Sequence, residues 1–186
     1  MLTRLHMRGV TLIELLIGLA VVAALLGIAV PAFRVFMQNT EIRNAADAAL
    51  NGMQLARAEA IRRNKPVQFQ LKTGSGWTVT IVKPSATDIA TVCPGGAPCA
   101  IQTRTYKEGS THVNVATIPG GSYAVTFDAM GGPTNNADGS LRISSLQFTS
   151  QISDPAIRQL NVVISLSGTI RMCDTKVPAS DPRSCT

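Results

Sequence analysis

The sequence has few of the side chains on which catalysis and metal binding most often depend. It contains only two histidines, and because His6 precedes a long apolar run, His112 is left without a companion for a catalytic triad or a metal centre. Asp128, Asp138 and Asp154 lie on predicted turns and lack the spacing of a calcium-binding loop. No glycine-rich loop leads into a helix, so no nucleotide site is indicated. These absences predict a protein that is not an enzyme and has no cofactor or metal.

Cysteine is also scarce, and its four residues fall in two local pairs. Cys93 and Cys99 lie in CPGGAPC, while Cys173 and Cys185 lie in CDTKVPASDPRSC. Neither spacing supplies the close sets of ligands that zinc requires. Four cysteines allow three disulfide pairings, and we favour pairing within each segment because both are rich in turn-forming residues. Disulfides are typical of an oxidising compartment, which places this part of the chain outside the cytoplasm.

Charged residues make up only 15% of the chain, and the net charge is +6. Arg4 and Arg8 contribute two of these charges and precede the apolar run. The rest of the chain is therefore mildly basic, a balance that favours an acidic or nucleic-acid partner without demonstrating one.

One long apolar run extends from Val10 to Val30, with Glu14 as its only charge. As a helix, it would span roughly 31 Å, the thickness of a bilayer core. The arginines before it predict a cytoplasmic N-terminus and a single membrane pass. The alternative is a secretory signal cleaved near Ala32, but signal cores are shorter and a carboxylate at their start would be unusual.

The start of the chain resembles the class III leader of type IV pilins and type II secretion pseudopilins. A short basic segment ends in Gly9 and is followed by VTLIE and a long apolar helix containing Pro31. This resemblance implies that a prepilin peptidase cleaves after Gly9 and that the new N-terminus, Val10, is methylated. Glu14 then becomes the fifth residue of the mature chain, where this family keeps its glutamate. The chain departs from the family in having Val where Phe or Met is usual at the first mature position.

Glu14 needs a counter-charge, because a lone carboxylate in hydrocarbon costs on the order of 3 kcal/mol. After cleavage, the amine of Val10 is the nearest cation, and the amine of a neighbouring subunit is a better one. We therefore expect Glu14 to set the register of an assembled filament. The alternative is a carboxylate that is simply protonated in the membrane.

The helical pattern continues past the apolar run and predicts a helix from Val10 to about Asn64. Pro31 should kink this helix without ending it, and Pro66 ends it by restricting the residue before it. A stripe of small and apolar residues recurs at helical spacing, which predicts close packing on a sheet. Its members are Ile42, Ala46, Ala49, Met53, Ala56 and Ala60.

After the helix, seven or eight short alternating runs predict antiparallel strands arranged as a sandwich or paired sheets. Residues 83–103 are predicted to form a long loop, either an assembly surface or a spacer closed by the first cysteine pair. The chain thus divides into a cleaved leader (1–9), a transmembrane and filament-core helix (10–33), an amphipathic helix (34–64) and an exposed β-rich domain (65–186).

Three further stretches, LARAEAIRRNKPVQFQL, FDAMGGPTN and LSGTIRMC, resemble the GspH/FimT group of minor pilins and pseudopilins. The resemblance implies an α+β fold in which a long N-terminal helix packs on two antiparallel sheets. It implies a minor pilin that primes assembly at the tip of a type IV pilus. Its partners would be other pilin subunits, the prepilin peptidase and an inner-membrane assembly platform. The alternative within the group is a pseudopilin of a type II secretion system.

Some members of this group bind DNA through a C-terminal Gly-Arg-x-Arg stretch. The matching positions here begin at Gly168 and keep the second arginine, Arg171, while threonine replaces the first. Lys176, Arg183 and Arg158 could add positive charge, but nearby aspartates offset it. Binding to phosphates needs several converging cations, so DNA uptake is the second alternative function.

Overall fold

The computed structural model describes residues 11–83, 86–91, 93 and 99–185. The chain forms two compact units, one ending at Met37 and the other running from Gln38 to Thr186. The predicted processing residues, Gly9 and Val10, lie outside the described residues.

The helix α1 extends from Leu12 to Arg63 and contains Pro31. The two residues that follow the helix explain why it ends at Arg63. Asn64 has a left-handed backbone (φ 52°), and the N–H of Lys65 donates to the carbonyl of Ala60 at 3.2 Å. Such a left-handed residue satisfies the last helical carbonyls and stops the helix. The helix ends within one residue of the predicted position.

Nine strands and one short helix follow α1 in the described residues. The short helix α2 is Ala86–Thr91. The strands are β1 Val67–Leu71, β2 Trp77–Ile81, β3 Cys99–Arg104, β4 Val113–Ile118, β5 Ala124–Phe127, β6 Pro133–Thr134, β7 Ser145–Ser150, β8 Leu160–Ile164 and β9 Ile170–Asp174.

The strands form two antiparallel sheets. The five-stranded sheet has the order β3-β2-β1-β5-β6, and the four-stranded sheet has the order β4-β7-β8-β9. In the first sheet, Phe69 of β1 stands opposite Val79 of β2 and Val125 of β5. In the second, Phe148 of β7 stands opposite Val115 and Leu160. These cross-strand pairs give each sheet one continuous apolar face.

The C-terminal part of α1 covers the apolar face of the five-stranded sheet. All six residues of the predicted stripe are buried, and the buried set also includes Gly52. A Cβ atom at Gly52 would lie 2.9 Å from ring carbons of Phe69 and Trp77. The stripe is small because the helix axis lies close to these two rings, which are themselves 5.7 Å apart. The predicted α+β fold, a long helix packed on antiparallel sheets, is confirmed.

Two elements differ from the sequence prediction. Residues 83–103, predicted as a loop, contain α2 and the first residues of β3. The run Gly131-Gly132-Pro133 predicts a turn, but Pro133 begins the short edge strand β6, where proline is tolerated because no neighbour needs its N–H.

Candidate assembly site

The first unit presents an apolar helical surface with one carboxylate. Its large apolar side chains are exposed, from Leu12 at 78% to Phe36 at 64%. Among the described residues up to Phe33, Glu14 is the only charged one. In this part of the chain, one helix is long and apolar enough to cross a membrane, judged by length and composition.

Glu14 lies in the first turn of α1, three residues after the residue that caps it. The N–H of Glu14 donates to Oγ1 of Thr11 at 3.3 Å. A threonine followed three residues later by glutamate is the capping-box pattern, in which the threonine satisfies a free helical N–H. A carboxylate in the first turn is also favoured by the positive end of the helix dipole. The chain therefore holds Glu14 at the head of the helix, with its side chain exposed.

In the second unit, three segments that sequence analysis singled out separately meet at one point. Nε of Arg57, on α1, donates to the carbonyl oxygen of Gly131 at 3.0 Å. Gly168, in the turn before β9, lies against the same carbonyl. Both glycines have a positive φ, 81° and 79°. This junction fixes the end of α1 against the turns that precede β6 and β9.

An ion-pair network joins the end of α1 to α2. Glu59 accepts hydrogen bonds from Arg62 and Arg63, and Arg63 and Lys65 both contact the buried Asp88, at 3.2 and 2.6 Å. Burial disfavours the charged form of Glu59, but the hydrogen bonds from the two arginines outweigh it and lower the pKa of that carboxyl. Sequence reasoning missed Asp88, because no local pattern connects it with residues more than twenty positions earlier.

We expect Asp88→Asn to lower the free energy of unfolding by about 2 kcal/mol, since it leaves two partly buried cations without their shared carboxylate. Denaturant unfolding of the full-length protein in detergent micelles measures the loss. The matched control is Asp47→Asn, whose pair with Arg43 is long, at 3.6 Å, and exposed. That control should cost less than about 0.5 kcal/mol. Equal losses in the two variants would contradict a structural role for the network.

Both cysteine pairs form local disulfides, Cys93–Cys99 and Cys173–Cys185. The first pair packs with Ile81 of β2 and Ile101 of β3. The second closes the C-terminal segment against β9.

Within that closed C-terminal segment, the carboxylate of Asp181 accepts hydrogen bonds from Nε and Nη2 of Arg183 at 3.0 and 2.7 Å. The backbone N–H of Arg183 donates to it as well, at 2.9 Å. These contacts lower the pKa of Asp181 from 3.8 to about 2. The C-terminal turn is thus held by one acid and one arginine.

The lowered pKa of Asp181 predicts a pH dependence. Because the folded value lies below the unfolded one, the stabilisation is fully present above about pH 4 and is lost as the pH falls through about 2. A carboxyl-carbon NMR titration should give a midpoint near 2 for Asp181. In Arg183→Gln the midpoint should rise towards the ordinary value. A wild-type midpoint already at the ordinary value would show that the pairing is absent in solution.

The structure brings two of the four cations proposed for DNA, Lys176 and Arg158, into one groove. Lys176 donates through Nζ to the carbonyls of Pro155 and Ile157, at 2.9 and 2.6 Å, and Arg183 is held by Asp181. Lys176 and Arg158 line one groove, whose lining includes neither of the other two cations. The DNA-binding hypothesis stays a prediction.

His112, the one histidine after the apolar run, lies just before β4 and contacts Glu41 of α1. Its backbone N–H and its Nδ1 atom lie 3.0 and 3.2 Å from the two carboxylate oxygens. No group of three potential metal ligands occurs in the described part of the chain. The His112–Glu41 contact joins α1 to the start of β4.

A long N-terminal helix, apolar and exposed at its start and packed on two antiparallel sheets farther on, defines a pilin-like subunit. The model of the family "Type II transport protein GspH" matches residues 45–168, more than half of the chain, and the chain belongs to this family. The prokaryotic N-terminal methylation motif matches residues 4–30, a range that includes Gly9, Val10 and Glu14. The family inferred from the sequence is confirmed.

The fold is similar to that of the type IV minor pilin FimU of Pseudomonas aeruginosa PAO1. In one crystal form (P21), the match has a TM-score of 0.51 at 20% identity and covers 81% of this chain and 99% of FimU. A second form (P65) gives 0.45 at 19% identity, covering 77% and 99%. No curated protein matches the chain in sequence. The first similarity supports the fold, and the family model supports the membership.

Proposed function

We propose that the chain is a minor pilin that a prepilin peptidase processes after Gly9 and that then joins a type IV pilus, where it primes assembly at the tip. The observation that carries this proposal is Glu14, the one charge on an otherwise apolar and exposed helix start, inside the matched methylation motif. The role is structural rather than catalytic.

The apolar part of α1 serves two environments in succession. Before assembly it anchors the subunit in the inner membrane, with Arg4 and Arg8 on the cytoplasmic side and the disulfide-bonded domain in the periplasm. After assembly the same side chains pack against those of neighbouring subunits in the filament core. The exposure of this surface in the single chain supports both uses, since such a surface needs lipid or protein around it.

Glu14 sets the axial offset between the helices of adjacent subunits, which is the register of the filament. In lipid or in a filament core its carboxylate is stable only when neutralised or paired. The methylated amine of Val10 on an adjacent subunit meets this need only at one axial offset between helices. Subunits packed at another offset would leave a buried charge unpaired, and assembly would select against them.

The intact mass of the protein extracted from membranes tests the processing. We expect a chain that starts at Val10 and carries the mass of one added methyl group. Gly9→Val should keep residues 1–9 attached, because it replaces the residue before the scissile bond. A wild-type chain that starts near Phe33 would identify the apolar run as an ordinary secretory signal and overturn the proposal.

The second candidate is a pseudopilin of a type II secretion system, and the description of the matched family favours it. Deletion of the gene separates the two functions. Loss of surface pili with normal protein secretion supports the minor pilin, whereas loss of secretion with normal pili supports the pseudopilin.

A further inference from the structure

The second unit begins close to the point at which the apolar part of α1 ends. Arg34 is the first charged residue after Glu14, and continuous helix leads from it to Asn39, a rise of about 7.5 Å. The headgroup layer on each side of a bilayer core is about 5–8 Å thick. When α1 spans a membrane with Arg34 at the edge of the hydrocarbon, Asn39 therefore lies no higher than the outer edge of the lipid headgroups.

The loop between β7 and β8 is bonded to this part of α1. Nδ2 of Asn39 donates to the carbonyl of Ala156 at 3.5 Å, and Oδ1 of Asn39 accepts from the backbone N–H of Arg158 at 2.8 Å. One residue earlier on the helix, Gln38 accepts a hydrogen bond from the hydroxyl of Ser150 at 2.7 Å. These contacts keep the loop at the level of Asn39, and so beside the headgroups.

The loop forms a groove of about 540 Å³ whose lining includes two cations, Arg158 and Lys176, and one acid, Asp154. Nζ of Lys176 donates to two carbonyls of the loop, which position its charge without neutralising it. Asp154 accepts a hydrogen bond from the backbone N–H of Ala156 at 2.8 Å. The side chain of Arg158 is exposed and has no hydrogen-bond or ion-pair partner among the residues that the structure describes. The groove therefore has a net positive charge and a guanidinium available to an anion.

An exposed apolar side chain lies beside these cations. Ile152, on the same loop, also lines the groove and is 50% exposed. A membrane surface offers partners for both kinds of side chain, because phosphates lie directly above the ends of acyl chains. Duplex DNA matches the cations alone, and binding it requires more phosphate contacts than two cations supply. The lining and its place on the chain both favour lipid.

We propose that this groove binds the phosphate of an anionic phospholipid in the membrane that α1 spans. The guanidinium of Arg158 donates to the phosphate oxygens, Lys176 adds electrostatic attraction, and Ile152 contacts the acyl chains below the headgroup. The proposal rests on the proposed function for the membrane anchor. The contact holds the β-rich domain on the membrane surface until α1 leaves the bilayer for a filament.

The test observes Ile152 and uses Ile118 as an internal reference. Ile118 is also exposed, at 42%, but it lies at the opposite end of the paired strands β4 and β7, roughly 17 Å along them. Full-length protein with ¹³C-labelled isoleucine methyl groups, in uncharged maltoside micelles, is titrated with dioctanoyl phosphatidylglycerol. We expect a saturable shift of the Ile152 signal, assigned with Ile152→Val, and no shift of the Ile118 signal. Dioctanoyl phosphatidylcholine, which has the same acyl chains but no net charge, should bind about fivefold more weakly or less.

Variants of two exposed cations identify the site. Arg158→Gln should weaken binding of phosphatidylglycerol about fivefold, the effect of one cation near an anionic lipid surface. The loop should keep its position, because Asn39 binds the backbone N–H of residue 158 and not its side chain. The matched control is Lys83→Gln. Lys83 is exposed and follows Val82, which is bonded to Pro66 beyond the other end of α1, so this variant should bind the lipid normally.

Three results would overturn the proposal: no saturable shift at Ile152, equal binding of the two lipids, or equal effects of Arg158→Gln and Lys83→Gln. A short DNA duplex that shifts the Ile152 signal where phosphatidylglycerol does not would assign the groove to DNA and overturn the proposal as well. Because the purified chain is titrated without any assembly machinery, failure here would leave the test of leader processing unaffected.

Discussion

Gly168→Ala is expected to lower the free energy of unfolding of the β-rich domain by about 2–5 kcal/mol. A Cβ atom at this position would fall on the carbonyl oxygen of Gly131, well inside van der Waals contact, with Nε of Arg57 close behind it at 3.3 Å. This same carbonyl oxygen accepts the hydrogen bond from Arg57 that joins α1 to the turn. One methyl group therefore strains two turns and a helix contact together.

Two terms make up this loss. The left-handed backbone at Gly168, φ 79°, costs an alanine about 1–2 kcal/mol, and the forced displacement of Gly131 costs about 1–3 kcal/mol, as overpacking usually does. A small domain has only about 5–15 kcal/mol in total. Denaturant unfolding of full-length protein in micelles, followed by near-ultraviolet circular dichroism, measures the change.

Gly139→Ala separates the two terms. Gly139 has a similar φ, 75°, but a Cβ atom there would meet nothing within 4 Å. This variant should lose only the backbone term, about 1–2 kcal/mol. If Gly168→Ala is no more destabilising than Gly139→Ala, the contact with Gly131 does not constrain the domain as described.

The regular parts of the fold could be predicted because their signals are local. The spacing of the small residues from Ile42 to Ala60 predicts which face of α1 is buried, and all six predicted residues are buried. Asn64 and Pro66 fix the end of the helix through backbone geometry. Alternation in VQFQL and WTVTI predicts strands whose buried faces pack under the helix.

The features that depend on distant contacts could not be predicted. Asp88 meets Arg63 and Lys65 only because α2 folds against the end of α1, and a six-residue helix has too weak a periodic pattern to be recognised. The junction of Arg57, Gly131 and Gly168 was visible as three separate motifs, but their contact was not.

Glu14→Ala is expected to leave removal of the leader largely intact while reducing incorporation into pili about tenfold or more. The reason is that the variant cannot pair with the amine of Val10 on an adjacent subunit, and breaking a buried pair leaves an uncompensated charge. Immunoblots of sheared pili and of membranes from the same cells give the incorporated fraction, and intact mass reports processing. Leu16→Ala, an exposed apolar position on the same helix, is the matched control and should assemble nearly normally.

Glu14→Gln is the decisive companion variant, because Glu14 stands three residues after Thr11, the capping-box position at which the side chain of either glutamate or glutamine can contribute to the cap. Glutamine keeps the capping-box pattern and the size of the side chain, but it cannot carry the charge. If the charge sets the register, Glu14→Gln assembles as poorly as Glu14→Ala. If Glu14→Gln assembles like the wild type, the cap explains the need for this residue and the pairing does not. If the Glu14→Ala variant assembles normally, neither the charge pairing nor the helix cap explains a need for this residue.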